Sequence, residues 1–201
     1  MLLTKDKTKV KPMIFNVIES VVQRFPDQYR KMLDDIATTR QFDKEVYILE
    51  EGKYCNHLWF INKGAVKAFE PVNGNERVTY FFLDSMFFTN YFCWVTAKPS
   101  DITFQTVEPS EIIVIDYPKL EALCTKHHIF DTIGRKIAQR IAVDEFQLRK
   151  LLLNYSASDR YEYLEKERPE IFQRFALKDI ASFIGITDVS LSRIRKERLR
   201  K

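Results

Sequence analysis

Apolar residues recur along the chain at intervals that change twice, dividing it into a helical lead, a strand-rich middle and a helical end. In the lead the interval is three to four residues. Ile14, Val17, Ile18, Val21 and Val22 form a stripe, Pro26 interrupts it, and a second helix is predicted from Asp27 or Gln28 to Ile36. From about Arg40 to Asp116 the pattern shortens to runs rich in Val, Ile, Phe, Tyr and Thr at 46–49, 58–62, 65–69, 78–82, 102–107 and 111–116. Glu51-Gly52, Lys63-Gly64 and Asn73-Gly74 mark reversals between them, the last being a strong hairpin signal. Many short strands with no helix between most of them predict an antiparallel roll of jelly-roll type. After Pro118 the helical interval returns, and it is longest over 130–155, where Ile133, Ile137, Ile141, Leu148, Leu151 and Leu152 mark a seam broken by Asp144 and Glu145. Ser156-Ala157-Ser158 reads as a hinge, followed by short helices over 159–166 and 169–174.

The end of the chain carries the densest pattern. Leu177, Ile180, Ala181 and Ile184 are spaced to bury one face of a helix, leaving Lys178, Asp179 and Ser182 wet. Gly185 stops that helix, because glycine adopts a left-handed backbone without steric cost. Ile186 follows as an apolar lead into the next helix, and Thr187 is placed to cap it with its hydroxyl. Leu191 and Ile194 then face inward, while Asp188, Val189, Ser190, Arg193 and Lys196 face out. From Asp188 onward there are two acids, Asp188 and Glu197, against six bases, Arg193, Arg195, Lys196, Arg198, Arg200 and Lys201. A solvated basic tail would not need a cap, a glycine hinge and two apolar stripes in register. Two short helices joined in this way form a helix-turn-helix, whose second helix enters the major groove of duplex DNA. Arg193 can take guanine in a bidentate pair and Val189 can pack on a thymine methyl. Asp188 can accept from cytosine or complement the helix dipole. Thr187, Ser190, Ser192, Arg195 and the basic tail would grip phosphates.

Composition narrows the remaining choices. At 201 residues the chain can bury a sizeable core as one domain or two. Its formal net charge of +4 matters chiefly because the excess of bases lies at one end. No apolar run has the length of a membrane span, and the basic run MLLTKDKTKVK has no apolar segment behind it, so the expected compartment is the cytoplasm. Cys55, Cys93 and Cys124 are odd in number and far apart, which offers no disulfide framework or metal site. One barrel histidine, His57, is too few for a metalloenzyme of cupin type, and His127 and His128 lie outside the strands. Neither a nucleophile elbow nor a P-loop is present, so an enzyme is not expected, and no metal or cofactor is called for.

The order of roll, long helix, hinge and helix-turn-helix resembles the Crp/Fnr family of bacterial transcription regulators over nearly the whole chain. Gly52 and Gly64 in LEEGKYCNHLWFINKGAVKAFE match the paired glycines of a cyclic-nucleotide-binding-type roll, with Leu58, Phe60 and Ile61 between them. IASFIGITDVSLSRIRKE is close to the family's helix-turn-helix, and YLEKERPEIFQRFALKDIASFIG is similar to the form found in its Bacteroidetes members. The resemblance implies an α+β chain in three parts: N-terminal helices with a sensory β-roll over 1–126, a dimerisation helix over 127–155, and a DNA-binding domain over 156–201. Long helices of this kind pair with a copy of themselves, here through Ile137, Ile141, Leu148 and Leu152. Expected partners are duplex DNA and a second copy of the chain, with RNA polymerase a further candidate.

Family members that bind cyclic nucleotides carry a Gly-Glu pair and, about ten residues later, an Arg-Ser or Arg-Thr pair that hold the phosphate. A gap-free placement puts these on Thr89-Asn90 and Ser100-Asp101, so neither pair is present. The five glycines stand at 52, 64, 74, 134 and 185, none between Leu83 and Asp116, and Lys98 is the only cation in that interval. A buried phosphodiester there would be unpaired. Tyr80, Phe81, Phe82, Phe87, Phe88, Tyr91, Phe92 and Trp94 crowd the same region. They read either as a pocket for an apolar effector or as a roll filled by its own rings, and the lack of convergent polar groups favours the second. The effector is left open. Val189 stands where many members have glutamate, so the family's target sequence does not transfer, and with no two-stranded wing expected, backbone grip falls to Thr187, Ser190 or Ser192, Arg195 and the basic tail. The other reading is a small-molecule receptor or protein-interaction module whose basic end holds nucleic acid only loosely.

Overall fold

The computed structural model describes residues 12–198; the basic N-terminal run, Arg200 and Lys201 lie outside them. Two helices, α1 (Pro12–Val21) and α2 (Asp27–Ile36), lead into the strands β1 (Ala37–Phe42), β2 (Tyr47–Leu49), β3 (His57–Lys63), β4 (Val66–Val72), β5 (Asn75–Phe82) and β6 (Phe87–Phe88). A short helix, α3 (Tyr91–Thr96), precedes β7 (Thr103–Thr106) and β8 (Ser110–Asp116). The remainder is helical: α4 (Tyr117–Lys126), α5 (His128–Asn154), α6 (Ala157–Glu167), α7 (Pro169–Arg174), α8 (Leu177–Phe183) and α9 (Asp188–Arg198). The strands form two antiparallel sheets in the orders β1-β8-β3-β6 and β2-β7-β4-β5, packed face to face as a roll. Asn73 and Gly74 both have positive φ, 53° and 79°, as the tight turn between β4 and β5 demands. Gly64 is required for a second reason: a Cβ there would lie 2.2 Å from the Ser110 hydroxyl oxygen.

Strands β3 and β8 are apolar on successive residues because both of their faces are covered. Trp59, Ile61, Ile112 and Val114 point between the sheets, toward Phe88 and Phe104. Phe60, Ile113 and Ile115 point the other way, into a core shared with Ile14, Ile18, Phe25, Leu33, Phe130 and Ile133 of the flanking helices. The second sheet is covered likewise. Phe69, Val78, Phe81 and Leu83 join one core with Ile171, Phe175, Ile180, Phe183, Leu191 and Ile194, so the roll and the C-terminal helices share buried surface.

The structure departs from the sequence pattern in several places. Strand β1, ATTRQF, has almost no apolar alternation, and it exists because it pairs with β8 from Ala37 opposite Ile115 to Phe42 opposite Ser110. The aromatic stretch holds β6 and α3, the latter capped by the Asn90 side chain, which accepts from the Cys93 amide. Ser156, in the expected hinge, lies in the break between α5 and α6. It opens α6 as a capping box with Asp159, each side chain holding the other residue's amide. Leu177 faces solvent at 40% exposure and Lys178 is exposed as expected, whereas Asp179 is buried and Ser182 accepts from the Val78 amide at 3.0 Å, so part of the expected wet face of α8 is instead its contact with β5.

The reason for burying Asp179 is Lys67. This lysine projects from β4 with its side chain 6% exposed, and its ammonium donates to Glu76 at 2.8 Å and to Asp179 at 3.2 Å. Burial by itself would lower its pKa, but the hydrogen bond to Glu76 and the charges of Asp179 and Glu76 outweigh it and hold the pKa above the ordinary lysine value. Arg174 makes the parallel link from α7, donating to Asp84 at 2.5 Å and to Glu108. Phe81 packs between these links, its ring centroid 4.2 Å from that of Phe175 and 4.9 Å from that of Phe183.

Removing one partner of a buried ion pair leaves the other charge uncompensated. Asp179→Ala is therefore expected to destabilise the chain by about 2–3 kcal/mol in urea unfolding, less than for an isolated pair because Glu76 stays on Lys67. Lys67→Met with Asp179→Leu should recover most of that loss, and recovery of none would show that the pair is not the cause. Lysine's raised pKa sets the pH dependence: this contribution is full below about pH 10.4 and is lost as pH rises through the folded value.

Candidate nucleic-acid interface

Helix α8 ends as a Schellman motif. The Ile186 amide reaches back to the Ala181 carbonyl at 2.9 Å and the Gly185 amide to Ser182 at 3.1 Å, with Gly185 at φ 73°. Arg160 of α6 fixes the turn from outside, donating to the Ile184 carbonyl at 2.5 Å and to the Tyr155 carbonyl at 3.0 Å. Thr187 then starts α9 as expected: its hydroxyl oxygen accepts from the Ser190 amide at 3.2 Å and its carbonyl from the Leu191 amide at 3.0 Å. Leu191 and Ile194 are buried, which anchors one side of α9 and turns the other outward.

The outward side brings the sequence-identified residues together. Thr187, Asp188, Val189, Ser192, Arg193, Arg195 and Lys196 are exposed and Ser190 is half-buried, with Val189, at 80%, the most open large apolar residue among the described residues. Among the described residues, Arg193 and Lys196 have no ion-pair partner, so both cations stand ready for an external anion. Arg198 differs. It is drawn back onto α6 by Glu162 at 3.0 Å and Glu165 at 3.2 Å, with its guanidinium over the Tyr161 ring. The tail contribution that sequence assigns to Arg198 is thereby taken up within the domain. Arg195 lies beside the Tyr161 hydroxyl, whose pKa is raised by burial and by its bond to Glu165.

Thr89, Asn90, Ser100 and Asp101 also meet in space. The Asn90 amide nitrogen donates to Ser100 at 2.8 Å and to Asp101 at 2.9 Å, while its oxygen caps α3. Ser100 donates to the Ile102 carbonyl at 2.7 Å, and Thr89 to the His57 carbonyl at 3.0 Å. These polar groups satisfy one another. Behind them the roll is filled with rings, Phe88 lying 5.4 Å from Trp59, 5.1 Å from Phe82 and 5.3 Å from Phe104 between centroids. Tyr91 and Phe92 instead lie exposed on α3. His57 has its pKa lowered by burial and by the charge of Arg40, against the opposing charge of Asp116.

The four seam residues of the long helix are not equivalent. Ile137 packs on the N-terminal core and Leu148 on the C-terminal one, Leu152 is half-buried, and Ile141 is 42% exposed. The most open apolar residues of α5 are ones the seam pattern did not single out, Phe146 at 73% and Leu153 at 71%. They are seven residues apart and share a face, about 140° around the helix from Ile141 at ~100° per residue. Their signal was the spacing of seven, hidden because Ile141 and Leu148 show the same spacing on the other side.

Among the described residues, no helix is long and apolar enough to cross a membrane. No three His, Cys, Asp or Glu among them are grouped to hold a metal ion. Residues 39–127 match the cyclic nucleotide-binding domain family. No curated protein matches the chain in sequence. A solved structure of a Crp/Fnr-family transcriptional regulator from Eubacterium rectale superposes with a TM-score of 0.71 at 14% identity, over 88% of this chain and 85% of that one. The c-di-GMP-responsive regulator CLP of Xanthomonas campestris gives 0.68 at 16% identity, over 87% and 92%. FixK2 from Bradyrhizobium japonicum gives 0.64 at 17% identity, over 81% and 84%. Residues 39–127 thus match the cyclic nucleotide-binding domain family model, and the chain as a whole shares its fold with these solved regulator structures.

Proposed function

We propose that the protein is a homodimeric, sequence-specific DNA-binding transcription regulator whose sensory roll has lost cyclic-nucleotide chemistry. The observation that carries this reading is the outer face of α9, where Asp188, Val189, Ser192, Arg193 and Lys196 are exposed while Leu191 and Ile194 hold the helix from behind. A helix anchored in this way can enter the major groove with its N-terminal half against base edges. Arg193 is the guanine reader and Val189 the thymine-methyl contact, with Thr187, Ser190, Arg195 and Lys196 on phosphates.

Dimerisation is supported by α5, 27 residues long, with Phe146 and Leu153 open to solvent on one face. A second copy would cover them and set the spacing of two half-sites. Loss of phosphate binding is supported by the closed hydrogen-bond set of Asn90, Ser100 and Asp101 and by the ring-filled interior, since a phosphodiester would have to break both. For the same reason the c-di-GMP response of the Xanthomonas regulator is not carried over to this roll.

Three measurements test the reading. Arg193→Ala should weaken the best duplex by about 1–3 kcal/mol and relax preference at one base pair. An equal loss on scrambled duplexes would favour loose, charge-driven binding instead. Phe146→Asp with Leu153→Asp should turn the dimer to monomer in sedimentation at micromolar concentration, and an unmodified chain that sediments as a monomer would end the two-fold model. Calorimetric titration with cyclic AMP and cyclic GMP should give no saturable heat, and a micromolar dissociation constant would overturn the loss of phosphate chemistry.

A further inference from the structure

We infer that Lys67, a residue of the roll, is a positioning residue for DNA reading: with Asp179 it fixes the angle at which the helix-turn-helix is held, and so the separation at which two half-sites are read. This rests on the dimeric, DNA-binding function proposed above. The C-terminal helices are fastened more widely to the roll than to the long helix, and their broadest contact with the rest of the chain is α8 on β5. Helix α5 is anchored on the roll by Phe130, Ile133 and Ile137, and between it and α6 the backbone is extended at Tyr155 and Ser156, with ψ of 147° and 162°. In a two-fold dimer paired through α5, the roll therefore determines how each reading helix is presented.

The contacts that make this seat differ in what they fix. Phe81 against Phe175 and Phe183 supplies apolar area, which is non-directional and leaves the angle soft. Ser182 accepts from the Val78 amide at 3.0 Å and donates to the Glu76 carbonyl at 3.2 Å, tying α8 to the edge of its sheet. Lys67 lies one strand further in, on β4. Its ammonium is held to the roll by Glu76 at 2.8 Å and reaches Asp179 of α8 at 3.2 Å. A turn of α8 that withdrew the Asp179 carboxylate would leave a buried charge half compensated, so the pair admits one orientation. Arg174 does not duplicate it, because its partners Asp84 and Glu108 are partly open to water, which can replace a lost contact. Apolar side chains of similar volume can replace a buried ion pair without loss of stability, so stability and orientation are separable.

The test uses the full chain carrying Lys67→Met with Asp179→Leu, and the duplex that the unmodified chain selects from a random library, together with versions whose half-sites are moved one or two base pairs apart. One base pair displaces a half-site by about 3.4 Å and turns it by about 35°. The unmodified chain should lose about tenfold or more in affinity at the first step, because a rigid pair of reading heads can no longer engage both half-sites. The double variant should lose less than about threefold, while binding a duplex with a single half-site as tightly as the unmodified chain and unfolding at a similar urea concentration. Asp179→Asn, which keeps the shape and removes the charge, should show the same loss of spacing preference in smaller measure. Amide exchange gives a readout without DNA: the Val78 amide should exchange at least about tenfold faster in the double variant than in the unmodified chain. Absence of any preferred duplex for the unmodified chain would remove the proposed function and this inference with it. A preferred duplex whose spacing dependence is unchanged in the double variant would overturn the inference alone, as would a Val78 amide equally protected in both.

Discussion

A sheet that is apolar on both faces cannot be left half bare, and the sheet β2-β7-β4-β5 is such a sheet. Its inner face fills the roll, and its outer face carries Phe69, Val78 and Phe81, with Leu83 just beyond β5. Left open, that face would be a contiguous apolar patch of the kind folded proteins rarely expose. Helix α8 and the rings of Phe175 and Phe183 cover it, each fully buried aliphatic or aromatic side chain contributing about 1.5–3 kcal/mol. The position of the C-terminal domain is therefore a packing requirement of the roll.

Lys67 makes that packing specific. Apolar surfaces slide on one another at little cost, whereas a buried ammonium tolerates only the arrangement that brings Glu76 and Asp179 to it. Arg174 adds a second fixed point at Asp84, whose other oxygen accepts from the Gly64 amide at 2.7 Å. The chain thus connects a glycine turn of the roll to the C-terminal domain through a single carboxylate.

Labour is divided between the two helices of the helix-turn-helix. Helix α8 faces the roll through Asp179, Ile180 and Ser182, while α9 is held by Leu191 and Ile194 and, at its end, by Arg198 on α6, and keeps its N-terminal polar side free. Docking therefore leaves the proposed reading surface uncovered. It also closes a cleft between α5 and the C-terminal helices, lined by residues far apart in sequence such as Tyr80 and Arg168.

Elements whose stability is local could be read from the residues. The Asn73-Gly74 hairpin, the Gly185 stop, the Thr187 cap and the stripe of Leu191 and Ile194 depend on side chains within a few positions, and each stands as its spacing predicts. The roll was legible too, because β3 and β8 are buried on both faces and so are continuously apolar. Strand β1 was not, since its pairing energy comes from β8, about 70 residues away. Asp179 carries the same lesson for side chains: a charged residue on a helix reads as solvent-facing until a lysine from another domain is brought to it. The sequence by itself determined most of the elements, the roll and the outward face of α9, because periodicity and capping act over a turn or a strand. Only the tertiary structure decided that Asp179 joins the buried face of α8 and which apolar residues of α5 stay open, because those depend on surfaces that meet only when the chain has folded.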